Sequence, residues 1–186
     1  MDYTITTPLS EEMAKQLKAG DTVSITGTVY TARDAAHKRL VELLQKGGEM
    51  PFPIRGSIIY YVGPTPKKPG QAIGSAGPTT SSRMDAYTPA LLDLGLRGMI
   101  GKGIRNGETV KAMKRNSAVY FGAVGGAGAL LSGAIKKSEV IAYEDLGAEA
   151  IHKLQVENFP MVVVIDCEGK CLYETGRQNY IEVRDE

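Results

Sequence analysis

The stretch Val23–Gln45, VSITGTVYTARDAAHKRLVELLQ, contains the two patterns from which the fold class of this chain is predicted. Its first part, Val23–Tyr30, is rich in β-branched residues that alternate with other side chains, and this pattern predicts a strand. The second part predicts a helix over residues 34–45, because its leucines recur at helical spacing on one face. A strand that leads directly into a helix is the unit from which α/β domains are built, so this class is expected here.

The rest of the chain continues to alternate between predicted strands and helices. Further strands are predicted at Tyr3–Thr7, Ser57–Val62, Gly98–Ile100, Ala118–Ala123, Val140–Tyr143, Met161–Ile165 and Cys171–Glu174. Further helices are predicted after Ser10 and at Met84–Leu94, Glu108–Lys114, Gly125–Ile135 and Ala148–Val156. Not every pair of early strands is separated by a helix of sufficient length. We therefore expect one α/β domain over residues 1–186, with mixed sheet layers and packed helices.

Composition narrows the classes of partner. The 186 residues are 42% apolar and 23% charged, which is ordinary for a globular domain. The formal net charge of +1 provides no general attraction to nucleic acid or to a membrane surface. No apolar run approaches the ~20 residues that span a bilayer, and the polar N-terminus lacks a signal pattern. The cytoplasm is therefore the expected location.

The cysteines do not predict a metal centre on this chain. The sequence has two, Cys167 and Cys171, and its two histidines are distant from them. A structural zinc or an iron–sulfur cluster requires three or four protein ligands. We therefore expect no metal site formed by this chain alone.

The loop Ser75–Asp85, SAGPTTSSRMD, is the strongest candidate for a binding site. Glycine, proline, hydroxyl side chains and one arginine suit a small anionic ligand, because backbone N–H groups and the arginine fork can all donate hydrogen bonds inward. Thr79 and Arg83 lie four residues apart in this loop. A solvated surface loop is the alternative interpretation.

Two other connections also carry cations at predicted strand ends, where α/β folds place ligands. Arg33 and His37 lie four apart at the start of the 34–45 helix, and Lys102 lies between two glycines in the segment GKG. Each could instead be a helix start or an exposed turn. Together, Arg33, Arg83 and Lys102 offer about as many positive groups as the desolvation of a dicarboxylate requires.

The glycine-rich run Gly122–Gly128, GAVGGAG, does not carry a nucleotide motif. It departs from the spacing G-x-G-x-x-G, and the chain contains no G-x-x-x-x-G-K-[ST]. Close packing of a helix against the sheet is therefore favoured over phosphate binding.

Four segments together resemble one enzyme family. YTARDAAHKRL, SAGPTTSSRMD, GKG and AVGGAGALL, in this order, are similar to the β subunit of class I fumarate hydratases. The same pattern is found in the C-terminal domain of single-chain forms and in the β subunit of L-tartrate dehydratase. The resemblance runs from about Asp21 to the end, and it implies a swivelling β/β/α domain.

The resemblance implies half of a hydro-lyase active site. The α subunit of such enzymes holds an oxygen-sensitive [4Fe–4S] cluster on three cysteines, so the cofactor belongs to the partner chain. The implied reaction is the reversible hydration of fumarate to (S)-malate, a step of the tricarboxylic acid cycle. The implied assembly is a hetero-oligomer with two α and two β subunits, or a β dimer.

The resemblance also implies roles for six residues of this chain. Arg33, Arg83 and Lys102 would bind the substrate carboxylates, and Thr79 would lie at the carbon that gains or loses a proton. A hydroxyl is a weak base, so Thr79 needs a nearby cation, for which Arg83 and Lys102 are the candidates. Asp34 and His37 would orient Arg33.

Two alternatives to fumarate hydration remain open at this level. The same chemistry on tartrate would give oxaloacetate, and the two substrate classes differ only by hydroxyl groups. A non-catalytic module that binds anions through the same cations is a further alternative.

Overall fold

The computed structural model describes residues 1–67, 69–123 and 128–178. The described strands are β1 (Asp2–Thr6), β2 (Thr22–Thr31), β3 (Ile58–Tyr60), β4 (Gly98–Gly101), β5 (Val119–Ala123), β6 (Ile135–Ala142) and β7 (Ile151–Ile165). The described α-helices are α1 (Glu11–Gln16), α2 (Asp34–Gln45), α3 (Thr88–Asp93), α4 (Gly107–Arg115), α5 (Gly128–Ala134) and α6 (Leu172–Gln178), with 3₁₀-helices at Ser81–Met84 and Glu144–Glu149.

The strands form one sheet that closes on itself. Their order is β1-β2-β3-β4-β5-β7-β6, and β7 pairs with β2 as well as with β5. Strands β2, β3, β4 and β5 are parallel to one another, whereas β7 is antiparallel to both of its barrel neighbours. These five strands make a barrel, and β1 and β6 extend it. The expected mixed α/β architecture is confirmed.

Alternation along the strands separates two apolar cores. Ile58 and Tyr60 of β3 belong to one buried cluster, whereas Ile59 between them belongs to the other. Strand β5 repeats the pattern, because Phe121 joins the first cluster and Tyr120 the second. Side chains of successive strand residues point to opposite faces, so the first cluster fills the barrel and the second lies beneath the outer helices.

The expectation of a helix over Ala148–Val156 is wrong. The 3₁₀-helix Glu144–Glu149 is followed by β7, which begins at Ile151. Leu154 and Val156 point into the barrel and pair with β2 across the antiparallel ladder. Pairing with a distant strand therefore overrides the local apolar spacing, as is common for strands.

Two other predicted elements also differ in the structure. Cys171–Glu174 is not a strand, since Cys171 forms only an isolated bridge with Ile165 before α6 begins. The single helix expected at Met84–Leu94 is divided in the structure. The 3₁₀-helix Ser81–Met84 comes first, and α3 begins separately at Thr88, with Pro89 in its first turn. In the predicted Gly125–Ile135 helix, residues 124–127 lie outside the described part.

Gly98→Ala is predicted to destabilise the barrel. A methyl group at this position would lie 2.8 Å from Ile58 Cγ1 and 3.2 Å from Phe121 Cε2, inside the first core. Overpacking of this kind costs about 1–3 kcal/mol. Gly77→Ala is the matched control, because nothing lies within 4 Å of its new Cβ. Urea unfolding should show a lower midpoint for Gly98→Ala alone; equal midpoints for the two variants would contradict this packing.

Candidate functional site

The parallel strands bring the predicted site residues to one end of the barrel. Thr31 of β2 pairs with Tyr60 of β3, and Tyr60 pairs with Ile100 of β4, so these strands end at one level. Arg33 lies two residues beyond Thr31, and Lys102 lies two residues beyond Ile100. Strands β2 and β4 flank β3, so they lie about 10 Å apart. We refer to this end as the carboxyl end of the barrel.

Backbone hydrogen bonds hold Thr79 against Lys102. The Thr79 N–H donates to the Tyr61 carbonyl at 2.7 Å, and the Lys102 N–H donates to the Thr79 carbonyl at 3.3 Å. The Ser81 N–H then donates to the Lys102 carbonyl at 2.9 Å. The candidate loop is thereby attached to the end of β4 as a short parallel bridge.

Thr79 and Arg83 lie four residues apart in sequence but do not share a helix. Thr79 precedes the 3₁₀-helix Ser81–Met84, in which Arg83 lies, so the two are not separated by one turn of a common helix. Lys102 is instead the cation whose backbone contacts Thr79 directly.

The side chains at this bridge are unpaired within the described part of the chain. Arg83 and Lys102 are exposed, and Thr79 is partly buried. Neither cation has a carboxylate within ion-pair distance among the described residues, and the Thr79 hydroxyl makes no hydrogen bond to them. Cations without a carboxylate partner can accept an anionic ligand without first breaking an ion pair within the described residues.

Arg33 lies in a more enclosed position. Its Nε is 3.1 Å from Glu149 Oε1 and 3.8 Å from Asp34 Oδ1. A Cβ on Gly63 would lie 2.9 Å from Arg33 Nη1, so the absence of a side chain at Gly63 makes room for the guanidinium. The two terminal nitrogens make no hydrogen bond to the described residues, so they can make a bidentate contact with a carboxylate.

His37 contacts the backbone of Arg33, not its guanidinium. The buried imidazole Nδ1 lies 2.8 Å from the Arg33 carbonyl oxygen, and Nδ1 carries the proton because a carbonyl only accepts. Its Nε2 has no hydrogen-bond partner among the residues that the structure describes. Burial lowers the pKa of His37 to about 4, so the ring is neutral near pH 7.

A buried ion pair lies beneath the bridge and was not predicted from the sequence. Arg105 Nε donates to Asp85 Oδ1 at 2.6 Å, and the two side chains are 0% and 6% exposed. Burial by itself would lower the pKa of Arg105, but Tyr61 and Asp85 outweigh it and raise that pKa. Asp85 is the last residue of the candidate loop, so its segment had been selected. No periodicity or composition in the sequence distinguishes the buried Arg105 from the arginines at the surface.

Cys167 lies away from the carboxyl end of the barrel. Cys167 follows the end of β7, which is antiparallel and meets the beginning of β2 at the opposite end. Within residues 1–67, 69–123 and 128–178, no three His, Cys, Asp or Glu side chains are grouped to hold a metal ion. In the same residues, no helix combines the length and apolar character required to cross a membrane.

The fold and these side chains define a class: an α/β barrel domain that carries, at one end, cations without a carboxylate partner in the described part of the chain. Residues 2–176 match the family described as Fumarase C-terminus. The chain belongs to this family.

Individual relatives carry two kinds of name. The chain is 37% identical over 171 residues to "Fumarate hydratase class I, aerobic" of Salmonella typhimurium, which covers 90% of this chain and 30% of that protein. It is 38% identical over 171 residues to "Fumarate hydratase class I, anaerobic" of Escherichia coli, covering 90% and 31%. It is 36% identical over 192 residues to "Putative L(+)-tartrate dehydratase subunit beta" of Methanocaldococcus jannaschii, covering 100% and 98%.

His37→Asn is predicted to weaken the acid sensitivity of folding. The folded-state pKa of His37 lies below its ordinary value of 6.5, so the unfolded chain binds more protons between about pH 6.5 and 4. The contribution of the neutral His37 ring to folding stability is therefore present in full above pH 6.5, and it is lost as the pH falls toward 4. Asparagine retains a donor toward the Arg33 carbonyl but does not titrate.

The measurement is urea unfolding of both proteins at pH 7 and pH 5. The difference in unfolding free energy between them should narrow by on the order of 2 kcal/mol over this range. Because other titrating groups are common to both proteins, a difference that does not change with pH would contradict the buried neutral imidazole.

Proposed function

We propose that this chain is the β subunit of a two-subunit class I fumarate hydratase, which hydrates fumarate reversibly to (S)-malate. The observation that carries the proposal is the backbone attachment of Thr79 to Lys102, with Arg83 in the 3₁₀-helix that follows and neither cation paired with a carboxylate of the described residues. Family membership and the names of the fumarate hydratase relatives support it. A cytoplasmic location is part of the same proposal.

Two carboxylates and three cations are complementary in number. A dicarboxylate loses hydration when it binds, and that loss is offset only where each carboxylate meets charged donors. Arg83 and Lys102 supply two cations at the bridge. Arg33 supplies the third from the end of β2, with its terminal nitrogens available for a bidentate contact.

Thr79 is the proposed site of proton transfer. In dehydration of malate, the C–H bond next to one carboxylate breaks, its proton moves toward Thr79, and its electron pair forms the C=C double bond. The hydroxyl on the neighbouring carbon leaves as hydroxide, which takes up a proton to become water, and Thr79 later releases its proton to solvent. Hydration reverses these steps. The positive charges of Lys102 and Arg83 lower the cost of negative charge on the Thr79 oxygen, whether it acts as the base or relays the proton.

The proposal places the [4Fe–4S] cluster on an iron–sulfur α subunit. The thiols of Cys167 and Cys171 do not fit such a cluster at the candidate site, because Cys167 lies at the opposite end of the barrel and Cys171 is buried beside α6. The name of the archaeal relative, a subunit beta, supports an enzyme of two subunits. An α₂β₂ assembly is proposed for the complex.

L-tartrate dehydration is the second candidate function. The specific observation in its favour is coverage, since the chain spans 98% of the archaeal tartrate dehydratase relative but 30% and 31% of two fumarate hydratases. The complex with the α subunit, assayed under anaerobic conditions, would show which substrate gives the higher kcat/KM. We expect the higher kcat/KM with fumarate. A higher kcat/KM with L-tartrate would indicate that the enzyme is an L-tartrate dehydratase instead.

Thr79→Ala is predicted to lower kcat of the reconstituted complex by about 10²–10⁴-fold, the usual contribution of a positioned proton-transfer group. Thr80→Ala is the matched control, because it removes the same atoms from the next residue of the same bridge. Loss of fumarate absorbance measures turnover. Normal turnover by Thr79→Ala, or an equal loss in both variants, would contradict the assigned role.

Lys102→Ala and Arg83→Ala are each predicted to raise KM and to lower kcat/KM by about 10-fold or more, since a charged hydrogen bond to a carboxylate is lost. Lys111→Ala removes an exposed lysine that pairs with Glu108 on α4 and should leave both constants unchanged. If the complex is inactive while the isolated chain binds dicarboxylates, the chain is an anion-binding module instead.

A further inference from the structure

We propose that Asp85 and Arg105 form a positioning pair that holds Thr79, Arg83 and Lys102 in one fixed arrangement. The roles of the three positioned residues rest on the proposed function. The pair itself touches no ligand, because both side chains are buried beneath the bridge.

Asp85 joins the two segments that carry the site. It directly follows the 3₁₀-helix that contains Arg83, and its Oδ1 accepts from Arg105 Nε at 2.6 Å. Arg105 lies three residues beyond Lys102. Asp85 Oδ2 also accepts from the Asn106 N–H at 2.9 Å, and Oδ1 accepts from Thr109 Oγ1 at 3.1 Å. One carboxylate therefore fixes the connection after β4 against the candidate loop.

The guanidinium of Arg105 is fully engaged with the protein. Nη1 donates to the Tyr61 hydroxyl at 3.1 Å, and Nη2 donates to Thr88 Oγ1 at 2.9 Å. Its Cζ lies 5.2 Å and 5.3 Å from the ring centroids of Tyr61 and Tyr120, which is cation–π distance. Arg105 therefore contacts the end of β3 and the start of α3 as well as Asp85.

Tyr120 makes a second connection between the same two segments. Its hydroxyl donates to the Gly103 carbonyl at 2.9 Å and lies 2.8 Å from Ser81 Oγ, which must then be the donor in that contact. Gly103 and Ser81 are neighbours of Lys102 and Thr80 in the bridge. The bridge is therefore held by side chains on its buried face.

Stability alone does not account for this arrangement. Apolar side chains of similar volume often stabilise a core as well as a buried ion pair does, because the pair loses its hydration. The planar guanidinium of Arg105 also holds several hydrogen-bond partners in a single relative geometry. Proton transfer requires such geometry, because small displacements of the reacting groups reduce the rate strongly.

Arg105→Lys tests the positioning pair, because it keeps the charge and removes the fork. Arg97→Lys is the matched control: Arg97 is also buried, but it precedes β4 at the opposite end of the barrel, where Nη1 donates to the carbonyl of Asn116. Asp85→Asn is a second variant, which keeps the shape of the side chain and removes its charge. It takes the place of Arg105→Lys if that variant does not fold.

Hydrogen exchange of the full chain gives the first readout. In Arg105→Lys or Asp85→Asn, the amides of Ser81 and Lys102 should exchange about 10- to 100-fold faster, the effect of losing charged hydrogen bonds. Amides of β2 should remain unchanged. Arg97→Lys should leave the Ser81 and Lys102 amides unchanged. Unchanged exchange at both amides in Asp85→Asn would overturn the positioning pair.

Kinetics of the reconstituted complex give the second readout. The Asp85 and Arg105 variants should lose about 10- to 100-fold in kcat, with a smaller change in KM, whereas Arg97→Lys retains both. Wild-type kcat in folded Arg105→Lys would show that the pair is only structural. An inactive wild-type complex would overturn the proposed function alone, since the exchange readout does not depend on turnover.

Discussion

The antiparallel pairing of β7 with both β2 and β5 is the constraint on which the site depends. Without it, the parallel strands would form an open sheet whose edges could twist apart. Closure fixes the carboxyl ends of β2, β3 and β4 in one ring. Residues that are distant in sequence, such as Arg33 and Lys102, therefore emerge at one end of the barrel.

The candidate site combines two opposite electrostatic conditions. At the surface, Arg83 and Lys102 have no carboxylate partner in the described part of the chain, so their charge remains available. Directly beneath, each of the three nitrogens of Arg105 has a hydrogen-bond partner. The buried contacts of Arg105 and Asp85 fix the two backbone segments that carry the exposed cations.

Local features of the chain could be predicted, whereas its long-range pairing could not. Helix α2 runs over the predicted residues, because leucine spacing is a property of that segment alone. The three cations could be chosen because each lies in a glycine-rich or strand-end connection. In contrast, β7 was predicted in part as a helix, and the Asp85–Arg105 pair was missed. Both depend on partners far away in sequence, which one sequence does not reveal.

We propose that this chain forms one wall of a dicarboxylate site whose other wall belongs to a partner subunit. A crystal structure of the complex with bound malate or tartrate would show whether this is so. We expect the two carboxylates to lie within hydrogen-bond distance of Arg33, Arg83 and Lys102, and the Thr79 hydroxyl to lie beside the carbon that exchanges a proton. A ligand bound away from the carboxyl end of the barrel would contradict it.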